Sequence, residues 1–388
     1  MLFTGIRALL SLIDRSKNNS LADSVSTAAP DSDESIFISQ SVPLHSLPKP
    51  ASIVCCTVAT DPNWRWFSDK FPAEKINWHF TYCKSTGILK NLIKRPDLAK
   101  VYSSFQAVKI AKEKNADLLI SQEAELTFWC ALFGKLLGMK TEHVAYAFNY
   151  PFLPNFFRRL VMTQALDSVS HFFVSSGVEK RLYQQYFKIP ADKIDVQLWK
   201  MGNIGYAPEE PVEPGDYICA LGQYGRDYAT LMAAMERLPD IHLIVIAKPH
   251  NVANLSVPSN VKVLTNVEGD YVMNILKFSR FMVLPLANAQ MPAGHITLVS
   301  AMKLGKGVVI THSSGILDYV EDGYTALTYE AANVDSLTQV VHDLWNDPHQ
   351  AQHLGENAKH FAEQHCSEAS AVRHLQDLLT QRGLLRGL

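Results

Sequence analysis

Residues 285–323 read PLANAQMPAGHITLVSAMKLGKGVVITHSSGILDYVEDG, and this stretch decides the fold. Just before it, 281–286 (FMVLPL) is a short apolar run of strand type. After a loop of small residues, 294–304 is apolar nearly all round through Ile296, Leu298, Val299, Ala301, Met302 and Leu304. Thr297, Ser300 and Lys303 interrupt it, and at ~100° per residue they span about a third of a helical circumference. A helix so largely apolar is a buried one. Gly305 stops it, as helix C-termini prefer, and 307–311 (GVVIT) is a second buried strand. Strand, loop, helix, strand implies a parallel sheet.

The loop carries the chemistry. Ala293, Gly294, His295 and Ile296 offer backbone N–H groups at a helix N-terminus, and Thr297 completes the first turn. That end carries partial positive charge and receives phosphate. Gly294 lets a ligand approach the backbone. The second strand ends in His312-Ser313-Ser314-Gly315, another loop at the carboxyl edge of the sheet, where open α/β sheets bind ligands. A well-capped helix with a tight turn and no ligand fits the same residues equally well.

Outward from here the alternation of strand and helix runs twice, the signature of doubly wound sheets. In the first half, strands are predicted at 51–59, 76–82, 116–120, 143–148 and 171–175, with helices between them. Between 199 and 216 the chain is dense in Pro, Gly and Glu, an interdomain break centred on 203–214. In the second half, strands are predicted at 217–221, 242–247, 261–264, 281–286 and 307–311, followed by a turn and strand over 319–330. Helices follow over 334–345 and 351–379.

Composition narrows the function. With 388 residues the chain is long enough for two full cores. A net charge of −2 argues against a nucleic-acid partner. The six cysteines include no CxxC pair and sit mostly in apolar segments, which reads as buried free thiols of a reducing cytoplasm and no metal site. No run reaches the ~18 apolar residues of a membrane span. The first residues place Leu2, Phe3, Ile6, Leu9, Leu10 and Ile13 at helical spacing, and 152–159 (FLPNFFRR) mixes aromatic and basic residues. Both suit a membrane surface.

The stretch resembles the donor-binding domain of GT-B glycosyltransferases of the family 4-like group (glycosyl transferases group 1). Ser300-Ala301-Met302, Gly305, Val308-Val309, Gly315 and Asp322-Gly323 follow that group's order and spacing, and the resemblance covers about 217–361. It implies an α/β GT-B fold, two Rossmann-like doubly wound domains facing a cleft. It divides the chain into an N-terminal helix and flexible linker (1–50), an acceptor-side domain (51–202), a nucleotide-sugar-binding domain (215–365), and a C-terminal helix (366–388) crossing back to the first domain. It implies a hexosyltransferase, which the cysteines place in the cytoplasm and the N-terminal and 152–159 segments place peripherally at the inner face of a membrane. Such an enzyme moves a sugar from a nucleotide-sugar to a glycan or lipid-linked acceptor in polysaccharide or glycoconjugate biosynthesis. It needs no metal or other cofactor, because Arg, Lys and a helix dipole meet the leaving diphosphate.

One departure is clear. The group carries two Glu in a Glu-x7-Glu pattern, the second holding the donor ribose. Here these positions are Pro292 and Ser300. Donor binding is therefore expected from Gly222, Arg226, Lys248, Ala293, Gly294, His295, Ile296, Thr297 and Ser300, with Val267–Asp270 over the base. Arg226 can fork onto a diphosphate, or it can pair with its neighbour Asp227 at the surface. In the first half, Asp61 and Glu123 follow strands and are candidates to take a proton from an acceptor hydroxyl, though each could equally cap a helix. Two rival readings remain: a nucleotide-sugar epimerase of the same fold, and a catalytically silent GT-B partner protein.

Overall fold

A computed structural model describes residues 49–83, 96–150, 153–202, 209–287 and 293–385. The expected N-terminal helix, Pro292 and the first half of the 203–214 break lie outside the described residues.

Six strands form one sheet: β1 (Ala51–Thr57), β2 (Ile76–Tyr82), β3 (Leu118–Gln122), β4 (Glu142–Tyr146), β5 (His171–Val174) and β6 (Ile194–Val196). Their order is β2-β1-β3-β4-β5-β6, and every neighbouring pair is parallel. A second sheet holds β7 (Ile218–Leu221), β8 (Leu243–Ile246), β9 (Val261–Leu264), β10 (Met282–Leu284), β11 (Val308–Thr311) and β12 (Leu327–Tyr329). Its order is β12-β11-β10-β7-β8-β9, again all parallel. Parallel strands need crossovers. The helices α1 (Pro96–Glu113), α2 (Ala124–Leu137), α3 (Phe156–Leu166) and α4 (Gly177–Phe187) serve the first sheet. The second has α5 (Tyr228–Glu236), α6 (Pro249–Val252), α7 (Gly269–Phe278) and α8 (His295–Lys303), followed by α9 (Val334–Asn346) and α10 (Pro348–His365). Helix α11 (Glu368–Gln381) is the last helix among the described residues.

The central strands are apolar on both faces because both faces are covered, while the edge strands β2, β6 and β9 carry exposed residues. In the second sheet Cys219, Leu221 and Ile244 pack with α7 and α8, while Ile218, Ala220 and Leu243 pack with α5 and α9. Leu298, Val299, Ala301 and Met302 of α8 are buried, as its composition requires. The seat of α10 against this unit depends on glycine. A Cβ on Gly355 would lie 2.1 Å from the Gly305 carbonyl oxygen, so any side chain there would force the two segments apart. Helix α11 returns to the first sheet: Leu375, Leu378 and Leu379 share a core with Ile53, Leu118 and Ile120. Arg382 Nε donates to Glu142 Oε1 at 2.8 Å beside it.

Several strand ends differ from expectation by a few residues, and β6 was not expected. The strand predicted at 116–120 begins at Leu118, because Ala116 N still donates to Ala111 O (2.9 Å) as the chain leaves α1, and Asp117 accepts from Ser52 N (2.8 Å). The helical stretch expected over 351–379 comprises α10 and α11, and a new helix starts beyond 366, where Ser367 caps it by accepting from Ser370 N at 3.2 Å.

Candidate functional site

In the second sheet the chain runs from β7 through β8 to β9, then returns to β10 on the other side of β7. The strand order therefore reverses beside β7, and such a switch point places a ligand crevice at the carboxyl ends of these strands. The β7 loop carries Gly222 to Arg226, and the β10 loop leads into α8. Backbone bonds stitch the two together, Asp227 N to Pro285 O and Ala287 N to Gly225 O, both 3.0 Å.

Arg226 lies across Gly222, where a Cβ would come within 2.4 Å of its Nε. Gly222 has φ 135°, open to glycine and strained for other residues. The guanidinium donates from Nε to Leu221 O (3.1 Å), from Nη1 to Tyr224 O (2.9 Å) and from Nη2 to Thr297 Oγ1 (3.1 Å). Among the described residues no carboxylate is bonded to it. Asp227 instead caps α5, accepting from Thr230 N at 3.0 Å and Thr230 Oγ1 at 2.6 Å. Burial pulls the Arg226 pKa below its usual value. The charge is thus held by neutral acceptors in a half-buried, partly desolvated place, an arrangement that an anion would relieve.

The N-terminus of α8 lies beside it. Gly294 has φ 85° and no side chain caps the helix. A Cβ on Gly294 would stand 3.5 Å from Arg226 Nη1 and 3.2 Å from Leu286 Cδ2. The uncapped helix end and the guanidinium are two positive groups facing one space. A cavity of about 260 Å³ adjoins them, lined by Gly222, Lys248, Ile296, Thr297 and Ser300; Arg226 and Gly294 stand outside its lining, and Thr297, the acceptor of Arg226 Nη2, links them to it. Val272, Met273 and Leu276 of α7, with Val267, make another part of its wall apolar. The cavity joins a cationic region to an apolar slot, the combination a nucleoside diphosphate requires.

The other expected donor residues divide. Ser300 lines the cavity, but its hydroxyl donates to Ile296 O (2.8 Å) within the helix. Lys248 lines it at the start of α6, its N–H bonded to Asn251 Oδ1 at 3.1 Å. Ala293 is half-buried and packs into the core beneath. The His295 side chain is not in the lining: it is buried, Nε2 lies 2.9 Å from Gly315 O, and the ring stacks on Tyr319 at 4.7 Å. Burial pushes its pKa down. Tyr319 in turn donates to Ser175 O and accepts from Trp199 N, both 2.8 Å, so His295 braces a contact between the halves of the chain. Gln223, Asn266 and the apolar residues of α7 are lining groups that sequence reasoning missed. Val272 and Leu276, four apart on an amphipathic helix, give a signal indistinguishable from core.

In the first sheet the corresponding crevice lies between β1 and β3. Asp61 follows β1, is exposed, and spends Oδ1 on a turn by accepting from Asn63 N at 2.9 Å. Glu123 follows β3 and differs sharply. Its backbone sits at φ 74°, ψ 150°, a region occupied almost only by glycine. Oε1 accepts from Lys100 Nζ at 2.6 Å, while Oε2 is buried with no hydrogen-bond partner. Neither strain nor an orphaned carboxylate oxygen stabilises the fold.

Residues 218–361 match the family model described as glycosyl transferases group 1. No curated protein matches the chain. Solved structures with the same fold include sucrose-phosphate synthase from Thermosynechococcus elongatus, with a TM-score of 0.64 at 14% identity over 85% of this chain and 98% of that one. Anabaena HepE in complex with UDP and glucose has a TM-score of 0.63 at 13% identity over 85% and 100%. A UDP-N-acetylglucosamine 2-epimerase has 0.54 at 13% over 87% and 98%. At such identities these likenesses establish the fold, that of GT-B glycosyltransferases, and not the reaction.

Proposed function

We propose that the protein is a glycosyltransferase that binds a nucleoside-diphosphate sugar in the cavity beside α8 and transfers the sugar to a hydroxyl of a glycan or lipid-linked acceptor, in polysaccharide or glycoconjugate biosynthesis. The observation that carries this reading is the half-buried Arg226 guanidinium, bonded to neutral acceptors and facing the uncapped N-terminus of α8. The diphosphate lies between them, and the base enters the slot formed by Val267, Val272, Met273 and Leu276. HepE, of similar fold, binds UDP and glucose, which supports this class of donor.

As the bond from the sugar's anomeric carbon to the phosphate oxygen breaks, its electron pair stays on the leaving diphosphate. Charge grows there, so Arg226 and the α8 amides act more on the transition state than on donor binding. Fixed positive groups of this kind serve without a metal ion, and activity is expected to survive EDTA. The acceptor oxygen attacks the anomeric carbon and its proton passes to a base. Glu123 is the better candidate than Asp61, because Oε2 is free and its strained backbone has no structural use.

Ser300 motivates one second reading, a silent GT-B partner, since a neutral hydroxyl already bonded within its helix holds a ribose less firmly than a carboxylate. A thermal-shift screen of UDP-, GDP-, ADP- and TDP-sugars tests both. A donor at a hundredfold excess over its Kd stabilises the native state by about 2.7 kcal/mol. Failure of every donor to raise Tm, with a partner co-purifying, would favour the silent reading. Product formed without an acceptor would favour an epimerase.

A further inference from the structure

Helix α3 is held from behind. Met162, Ala165 and Leu166 are buried in the core of the first sheet with Phe128 and Phe172, and Asn155 caps its start by accepting from Arg158 N at 3.0 Å. Its outer face does the opposite of what a surface helix does. Phe156 is 62% exposed, Phe157 79%, Leu160 50% and Val161 36%. At spacings of one and four these side chains form one contiguous patch over two turns. Phe156 and Phe157 pack edge to face at 5.7 Å, so they stand as one projection.

Two arginines border the patch. Arg158 donates from Nη2 to both oxygens of Glu125, and the Arg159 guanidinium lies 4.7 Å from the centre of the Tyr186 ring. Among the described residues no carboxylate is bonded to Arg159. The exposed apolar area is on the order of 400 Å², about half of what each partner of a stable protein pair buries. It is ample for a few side chains entering the boundary of a bilayer, where aromatic rings sit at headgroup level and arginine meets lipid phosphate.

We propose that α3 docks the protein on a membrane surface bearing anionic phospholipid, with Phe156, Phe157 and Leu160 inserted and Arg159 on a headgroup phosphate. The placement has a functional consequence. Glu125, the partner of Arg158, lies two residues beyond Glu123, so the docked helix brings the β1–β3 crevice to the lipid surface. An acceptor presented from that surface would meet Glu123 directly. The docking itself does not depend on the glycosyltransferase reading and can fail or hold alone.

Flotation of the full chain with vesicles of phosphatidylcholine and phosphatidylglycerol in equal parts tests it. The wild type should float with these vesicles and bind pure phosphatidylcholine less. Phe156→Ser with Phe157→Ser should lower the bound fraction at least ~10-fold, since two exposed rings lose their burial in lipid. Arg159→Gln should weaken binding to the anionic vesicles only. Because all three side chains are at the surface, Tm should stay near that of the wild type. A wild type that stays in solution, or a double variant that floats as well as wild type, overturns the proposal. So does loss of flotation only on deletion of residues 1–48, which would assign the membrane contact to that segment. A wild-type dimer that the double variant converts to monomer, without flotation, would make the patch a self-interface instead.

Discussion

Arg226→Ala is the most informative single substitution. It removes three hydrogen bonds, to Leu221 O, Tyr224 O and Thr297 Oγ1, together with a full positive charge. On the stability side the terms oppose. Bonds from a charged donor contribute about 1.5–3 kcal/mol each, but relieving a desolvated cation that lacks a counter-charge returns much of that. The variant should fold, with Tm lowered by only a few degrees. Catalysis has no such offset, because the diphosphate gains charge as it leaves and Arg226 is the full charge placed to meet it. Loss of one preorganised anion-stabilising group costs a factor of at least ~100, or about 2.7 kcal/mol. Arg226→Lys keeps the charge but cannot hold the β7 loop and Thr297 at once, and should fall between. The assay is kcat/KM on the donor found by thermal shift, with UDP affinity by calorimetry alongside. Near-full activity of Arg226→Ala on that donor would refute the phosphate site. A large loss of Tm would show that Arg226 is structural first.

Gly294→Ala should cost about 1–2 kcal/mol of stability, because φ 85° opposes a Cβ, and should weaken UDP binding beside Arg226; unchanged UDP affinity would move the diphosphate elsewhere. Glu123→Gln should lower transfer ~100-fold or more with UDP affinity unchanged. Glu123→Gly should do the same while raising Tm, since glycine relieves a strain of roughly 1–3 kcal/mol; full transfer activity in both would clear Glu123 of any catalytic part. Stability should fall below neutral pH, because burial pushes His143 down to about 3 and His374 to about 4. The unfolded chain takes up these protons from pH ~6.5 downward, so each group removes up to ~1.4 kcal/mol per pH unit as the pH falls. A Tm that is flat between neutral pH and about pH 5, or unaltered in slope by His143→Gln, would contradict this.

Much of the architecture was legible because its signals are local and apolar. Leu298, Val299, Ala301 and Met302 announce a buried helix, and GVVIT a buried strand, without reference to the rest of the chain. Gly222, Arg226, Gly294 and Ser300 were legible as site candidates because they fall at strand ends and a helix start. The apolar slot was not, since Met273 and Leu276 have the same spacing whether they face a core or a nucleotide base. Nor could sequence separate Asp61 from Glu123. The difference lies in a positive φ at a residue that is not glycine, and in an orphaned oxygen, both set by tertiary packing. His295 was expected among donor-binding groups, and its ring faces Tyr319 because α8 begins where the β11 loop passes. The aromatic and basic residues of 156–159 were visible, but only packing on Met162 and Leu166 shows which side of the helix is bare.

The central claim is that a donor diphosphate rests between Arg226 and the start of α8. A crystal structure of the protein with UDP, or with whichever nucleoside diphosphate raises Tm most, tests it directly. The account predicts phosphate oxygens within hydrogen-bond distance of the Arg226 guanidinium and of the backbone N–H groups of His295 to Thr297, with the base against Val272 and Met273. A nucleotide bound elsewhere, with Arg226 still holding only its three neutral acceptors, would contradict it.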